Sequence, residues 1–172
     1  MMKGIVIFSS KYGSTREYAT LIAQKLGTEV LRASEVTSEA VTGADFIVLG
    51  SPIYAYSVLP EMEVFLEKSK EFLAEKPLAV FVVCGDALWN AKAREGGAKN
   101  LEKILRFLPA KPFTTAIFGG RMIIDELDDE DGPRIRAFYE RIGREATGFD
   151  RMELEKVEPF VEEIGKVLRD KG

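Results

Sequence analysis

Four short, unbroken apolar runs, separated by stretches of helical pattern, restrict this chain to very few folds. Gly4 to Phe8, Asp45 to Leu49, Leu78 to Val83 and Thr115 to Phe118 are rich in Val, Ile and Phe and show no polar alternation. A strand with one wet face alternates. A strand without alternation is covered on both faces, as in a parallel sheet layered by helices. Thr28 to Leu31 is a fifth, weaker run, suited to a sheet edge.

The intervening segments read as helices. Thr15 to Leu26 carries Tyr18, Ala19, Ile22, Ala23 and Leu26 at helical spacing and is followed by Gly27, a helix stop. Met62, Phe65, Leu66 and Phe72 form a stripe after Pro60, and Leu101, Ile104, Leu105 and Leu108 form another before Pro109. Val157, Phe160, Val161, Ile164 and Leu168 make a closing helix. Strand, helix, strand, repeated, implies parallel strands joined by right-handed crossovers. The expected fold is therefore α/β, a doubly wound five-stranded parallel sheet with helices on both faces, for which 2-1-3-4-5 is one of two common strand orders. A length of 172 residues, 46% apolar and 30% charged, suits a single domain over residues 1–172. Ligands of such sheets bind beyond the carboxyl ends of the strands at the switch point, which singles out the loops starting at Ser9, Gly50 and Gly85.

Composition narrows the chemistry. With no histidine, the chain has no Ser-His-Asp triad, no Cys-His pair and no imidazole shuttle. The net charge of −4 arises from mixed charges rather than a basic face, which argues against nucleic acid as a partner. A lone Cys84 fits a reducing compartment, and the start MMKGIVIFSS is too short for a signal sequence or a membrane span. The expectation is a cytoplasmic protein without stable membrane insertion. No catalytic triad or metal-ligand pattern is evident.

The turn Ser9-Ser10-Lys11-Tyr12-Gly13-Ser14-Thr15 joins an apolar strand to an amphipathic helix. It offers four Ser and Thr hydroxyls and the unpaired backbone N–H groups of a helix start, an arrangement that can hold an anion. Gly13 would let the backbone approach closely. Neither a G-x-G-x-x-G nor a G-x-x-x-x-G-K-[ST] motif is present, so a single phosphate is the expected guest. The alternative is that Ser14 merely caps the helix and Gly13 merely turns the chain.

This turn resembles the phosphate loop of flavodoxins, T/S-x-T-G-x-T, at Ser10, Gly13 and Thr15, with Tyr12 in place of the usual Thr. Cys84-Gly85-Asp86-Ala87-Leu88-Trp89 resembles the flavodoxin stretch C-G-D-x-x-Y/W. The resemblance implies a flavodoxin-like sheet of order 2-1-3-4-5 and one FMN. The phosphate would lie on Ser10, Tyr12, Gly13, Ser14 and Thr15, with Ser9 and Lys11 beside them. The ring would lie between the loops of Pro52, Ile53, Tyr54 and Ala55 and of Cys84, Gly85, Asp86 and Trp89, with Tyr54 and Trp89 as stacking partners. In flavodoxins a backbone flip beside the flavin commonly uses glycine, where this chain has Ala55. The implied function is electron transfer through the bound flavin, exchanged with a redox partner protein or a small donor or acceptor.

Ile5 to Glu17, Gly50 to Ile53 and Thr147 to Asp150 also resemble the group containing menaquinone-dependent protoporphyrinogen oxidase. That likeness implies an FMN-dependent protoporphyrinogen oxidase or quinone reductase as the enzymatic alternative. A cofactor-free interaction domain on the same fold is a further alternative. The run Asp125-Glu126-Leu127-Asp128-Asp129-Glu130-Asp131 reads as a solvated loop before a helix from about Pro133 to Ala146, and its charge should be repelled by anionic lipid.

Overall fold

The computed structural model describes residues 2–54, 57–85 and 91–171. Five strands, β1 (Gly4–Phe8), β2 (Glu29–Arg32), β3 (Phe46–Pro52), β4 (Leu78–Cys84) and β5 (Thr114–Gly119), pair in parallel in the order β2-β1-β3-β4-β5. Each begins and ends close to its apolar run. The largest difference is at β3, which continues through Gly50, Ser51 and Pro52. All three are buried, but none is the kind of residue that signals a strand.

The helices are α1 (Ser14–Leu26), α2 (Ser38–Thr42), α3 (Pro60–Lys68), α4 (Lys70–Ala74), α5 (Ala91–Leu105), α6 (Asp131–Arg141) and α7 (Val157–Lys171). Neighbouring strand residues serve opposite cores, which is why the runs show no alternation. Ile5, Ile7, Leu49 and Val80 pack with Met62, Phe65 and Leu66 of α3, Leu73 of α4 and Ile104 of α5. Val6, Phe8, Val48 and Phe81 pack on the other face with Tyr18 and Ile22 of α1 and Phe160 and Ile164 of α7. Each such side chain contributes about 1.5–3 kcal/mol of apolar burial.

Two helical expectations change. The stripe after Pro60 is not one helix: the chain breaks at Ser69, and the rotated second piece buries Leu73 while leaving Phe72 38% exposed. The helix expected from Pro133 to Ala146 spans Asp131 to Arg141 instead, starting inside the acidic run.

Residues 120–156, between β5 and α7, form an insert. Its β6 (Arg121–Met122) and β7 (Phe149–Asp150) pair antiparallel, Arg121 opposite Asp150 and Met122 opposite Phe149. The insert returns against the end of β5, where the Arg151 N–H donates to Gly120 O at 2.9 Å. Among the described residues, no helix is long and apolar enough to cross a membrane.

Candidate cofactor site

β1 and β3 are neighbours, yet the helices that follow them lie on opposite faces of the sheet, so their outgoing loops diverge and leave a crevice. Ser9 fixes the start of the first loop. Its N–H donates to Gly50 O at 3.0 Å, and its hydroxyl donates to Ser51 Oγ at 3.1 Å, which in turn donates to Pro52 O at 2.8 Å. The Ser9 proton is therefore spent inside the sheet end.

The other hydroxyls are differently placed. Ser10 Oγ accepts the Gly13 N–H at 3.1 Å, and Ser14 Oγ accepts the Arg121 N–H at 3.2 Å. A hydroxyl that accepts still has its own proton to donate. Thr15 is 1% exposed, and its Oγ1 has no hydrogen-bond partner among the described residues. A buried unpaired hydroxyl carries a desolvation cost of about 1–3 kcal/mol, so it calls for a partner. Gly13 holds φ at 100°, and a Cβ built there meets nothing within 4 Å, so the loop backbone faces open space. At this end the Glu17 N–H donates to Gly13 O at 3.0 Å, and the N–H groups of Ser14, Thr15 and Arg16 precede it at the positive end of α1. Donors without a carboxylate among them, around a buried orphan hydroxyl, fit a phosphate.

Lys11 and Tyr12 belong to a different cluster. Lys11 Nζ lies 2.6 Å from Asp131 Oδ2 and 2.8 Å from Asp128 Oδ2, and Tyr12 donates to Asp131 Oδ2 at 2.6 Å. Asp131 is 4% exposed, so the acidic run is not simply solvated: it folds back onto the loop. Burial works against the Asp131 charge, but hydrogen bonds from Lys11 and Tyr12 hold its carboxyl below the usual range. The backbone N–H of Asp131 and the Lys11 ammonium push Asp128 down to about 2. The same hydrogen bonds, to Asp128 and Asp131, hold Lys11 above its ordinary value.

The second loop leaves β3 through Pro52, which is buried, and Ile53, whose N–H donates to Val83 O at 3.1 Å. Tyr54 exchanges backbone hydrogen bonds with Ser57 at 2.8 and 2.9 Å, and its ring centroid stands 6.1 Å from that of Tyr12 at 53°. Burial pushes the Tyr54 hydroxyl up. The cleft between these rings and Arg121, Met122, Ile123, Glu126 and Leu127 holds only about 10 Å³, room for about one water. It is too small for a ring system. In the third loop, Cys84 is buried at the end of β4 and its carbonyl accepts the Gly120 N–H at 3.2 Å. Gly85 packs so closely on Phe149 that a Cβ would fall 2.2 Å from its ring, and its carbonyl accepts a bond from Arg151 Nη1. Ala55, Asp86 and Trp89 lie outside the described residues.

The sequence reading missed Arg32, Arg121, Asp128 and Asp131. Arg32 spans from the edge strand to the loop, donating to Ser10 O at 3.1 Å and pairing with Glu61 at 2.9 Å. Asp128 carried a readable signal, since an Asp just before a helix accepts first-turn N–H groups; its Oδ1 takes those of Glu130 at 3.1 Å and Asp131 at 2.7 Å.

Fold and loop together define a doubly wound α/β domain with a hydroxyl-rich turn and a helix start at its switch point. A family model described as the flavodoxin domain matches residues 5–143, and the chain belongs to that family. It is 27% identical over 158 residues to a flavodoxin of Clostridium saccharobutylicum, covering 82% of this chain and 95% of that one. Among solved structures it is similar to rubredoxin oxygen:oxidoreductase of Desulfovibrio gigas, with a TM-score of 0.56 and 16% identity over 98% of this chain and 36% of that one, so it spans about a third of that protein. A flavoprotein in complex with FMN from Lactobacillus acidophilus matches at a TM-score of 0.51, with 17% identity over 68% of this chain and 93% of the other.

Proposed function

We propose that this chain, acting as one domain, binds a single FMN and transfers electrons through it to and from a redox partner protein or a small donor or acceptor. The observation that carries the proposal is the buried Thr15 hydroxyl at the helix start of the switch-point loop, which has no partner among the described residues. Membership of the flavodoxin domain family and the likeness to an FMN complex support the choice of guest.

When bound, FMN would supply the redox chemistry, accepting and releasing electrons and protons. The residues of this chain bind and orient. Ser10, Ser14 and Thr15 would hold the phosphate with their hydroxyls, together with the N–H groups at the start of α1. Ser9 and Ser51 would fix the loop, and Gly13 would admit close approach of the backbone. Pro52, Ile53, Tyr54 and Gly85 would border the flavin from the second and third loops, with Ala55, Asp86 and Trp89 proposed for the ring. Carboxylates near the ring, Asp86 first, would disfavour negative charge on it and lower its potential.

The test is the visible absorption spectrum of the purified protein and of apoprotein reconstituted with FMN. The bands of an oxidised flavin, retained through gel filtration, are the expected result; a colourless protein that releases all added FMN contradicts the proposal. Turnover with protoporphyrinogen or a quinone would move the reading from electron carrier to enzyme on the same flavin.

A further inference from the structure

The insert after β5 grips the switch-point loop through one buried carboxylate. Asp131 Oδ2 takes Lys11 Nζ and the Tyr12 hydroxyl, both at 2.6 Å, and its Oδ1 takes Arg134 Nη2 at 2.6 Å. The Asp128 backbone N–H donates to the Tyr12 oxygen at 3.2 Å, so both donor and acceptor functions of that hydroxyl are committed to the insert. Lys11 faces two carboxylates, and a phosphate bound through it would have to share it with both. The neutral donors of the loop, in contrast, show no carboxylate contact among the described residues: the Ser10 and Ser14 hydroxyls accept backbone N–H groups, and Thr15 Oγ1 has no partner there.

We infer that Lys11 and Tyr12, although they lie within the phosphate loop, are the anchor of the insert rather than ligands of the phosphate, with Asp131 as the positioning residue that holds them there. This rests on the FMN reading of the loop. The anchor is also the main polar tie of α6, whose buried residues are Asp131 and Gly132 and whose Phe138 is 44% exposed. The loop and the insert therefore share one set of contacts, and disturbing the anchor should release the insert before it weakens the phosphate grip.

The test separates those two effects. Apoprotein is titrated with FMN and with riboflavin, and the dissociation constant of riboflavin divided by that of FMN reads the phosphate grip alone. Tyr12→Phe keeps the ring and removes only the hydroxyl. The double variant Lys11→Met with Asp131→Asn removes the ion pair without changing the net charge beside the phosphate. In both, the ratio is expected to stay within about twofold of the wild type, while a charged hydrogen bond lost from the phosphate would lower it about tenfold or more. Limited proteolysis of residues 120–156 should become faster by about tenfold in the double variant, as local opening replaces an anchored state. A tenfold fall in the ratio in either variant overturns the inference, as does unchanged proteolysis in the double variant. If the wild type binds neither flavin, the FMN reading falls, and the proteolysis arm alone decides whether the anchor exists.

Discussion

The Tyr18 hydroxyl donates to Gly119 O at 2.7 Å and so ties the helix that carries the phosphate loop to the end of β5. The same oxygen accepts the Glu153 N–H at 2.9 Å, which joins the far end of the insert to this point. The ring is fully buried and stacks on Phe118 at 4.6 Å, and burial pushes its hydroxyl up to about 12. One side chain thus holds three segments in register behind the loop.

Tyr18→Phe keeps the stacked ring but leaves the Gly119 carbonyl and the Glu153 N–H without that partner. Their desolvation makes the expected loss of stability about 1–3 kcal/mol. Equilibrium urea unfolding of the apoprotein measures it. A midpoint equal to that of the wild type would show that the hydroxyl carries no net stability.

Gly119 is required by close approach. A Cβ there would lie 2.0 Å from the carbonyl oxygen of Arg151, a backbone atom that cannot swing aside as a side chain would. Gly119→Ala should push the returning chain at Arg151 off the sheet end, break the Arg151 N–H to Gly120 O bond and cost about 1–3 kcal/mol as an overpacked site. Backbone hydrogen exchange at Arg151 checks this, with faster exchange in the variant as the expected outcome. Protection identical to the wild type would mean that the contact relaxes without cost.

The anchor of the insert should be sensitive to acid. Asp128 titrates at about 2 in the folded protein against an ordinary 3.8, and Asp131 is also lowered. The folded state therefore binds these protons more weakly than the unfolded one. The stabilisation they contribute is present in full above the ordinary value and is lost as pH falls through about 4 toward 2. Pepsin digestion across this range should cut residues 120–156 increasingly as pH drops, relative to the variant in which both Asp128 and Asp131 are Asn. Equal pH dependence in the two proteins would contradict the role given to these carboxylates.

The strands were legible because continuous apolar runs follow from burial on both faces, a property of each residue's own side chain; their order was not in the runs, which left two common solutions, and came from the resemblance of the loops to flavodoxins. The turn Ser9 to Thr15 was legible as a connection from strand to helix for a similar reason: a glycine that takes positive φ and a run of hydroxyls between an apolar strand and an amphipathic helix are local signals. Long-range pairing was not legible. Nothing local in DELDDED tells that Asp131 is buried 120 residues away from its partner Lys11. A charge run is ordinarily solvated, and only the fold brings this one onto a lysine and a tyrosine. The break at Ser69 was hidden too, because it rotates the buried face from Phe72 to Leu73 without any glycine or proline to announce it.

The hydroxyl of Thr15 offers the most direct test, because its two expected effects have opposite signs. Thr15→Val removes a buried polar group that has no partner among the described residues, so the apoprotein should become more stable by about 1 kcal/mol. The same change deletes a donor to the proposed phosphate, so FMN affinity should fall about tenfold while riboflavin affinity stays unchanged. Titration of apoprotein with FMN, followed through the emission of Trp89, the only tryptophan, measures this in wild type and variant. Strong quenching in the wild type, shifted to about tenfold higher FMN in Thr15→Val, is the predicted result. Emission that FMN leaves unchanged in the wild type, or equal FMN affinity in the two proteins, would contradict the assignment of this loop to the cofactor phosphate.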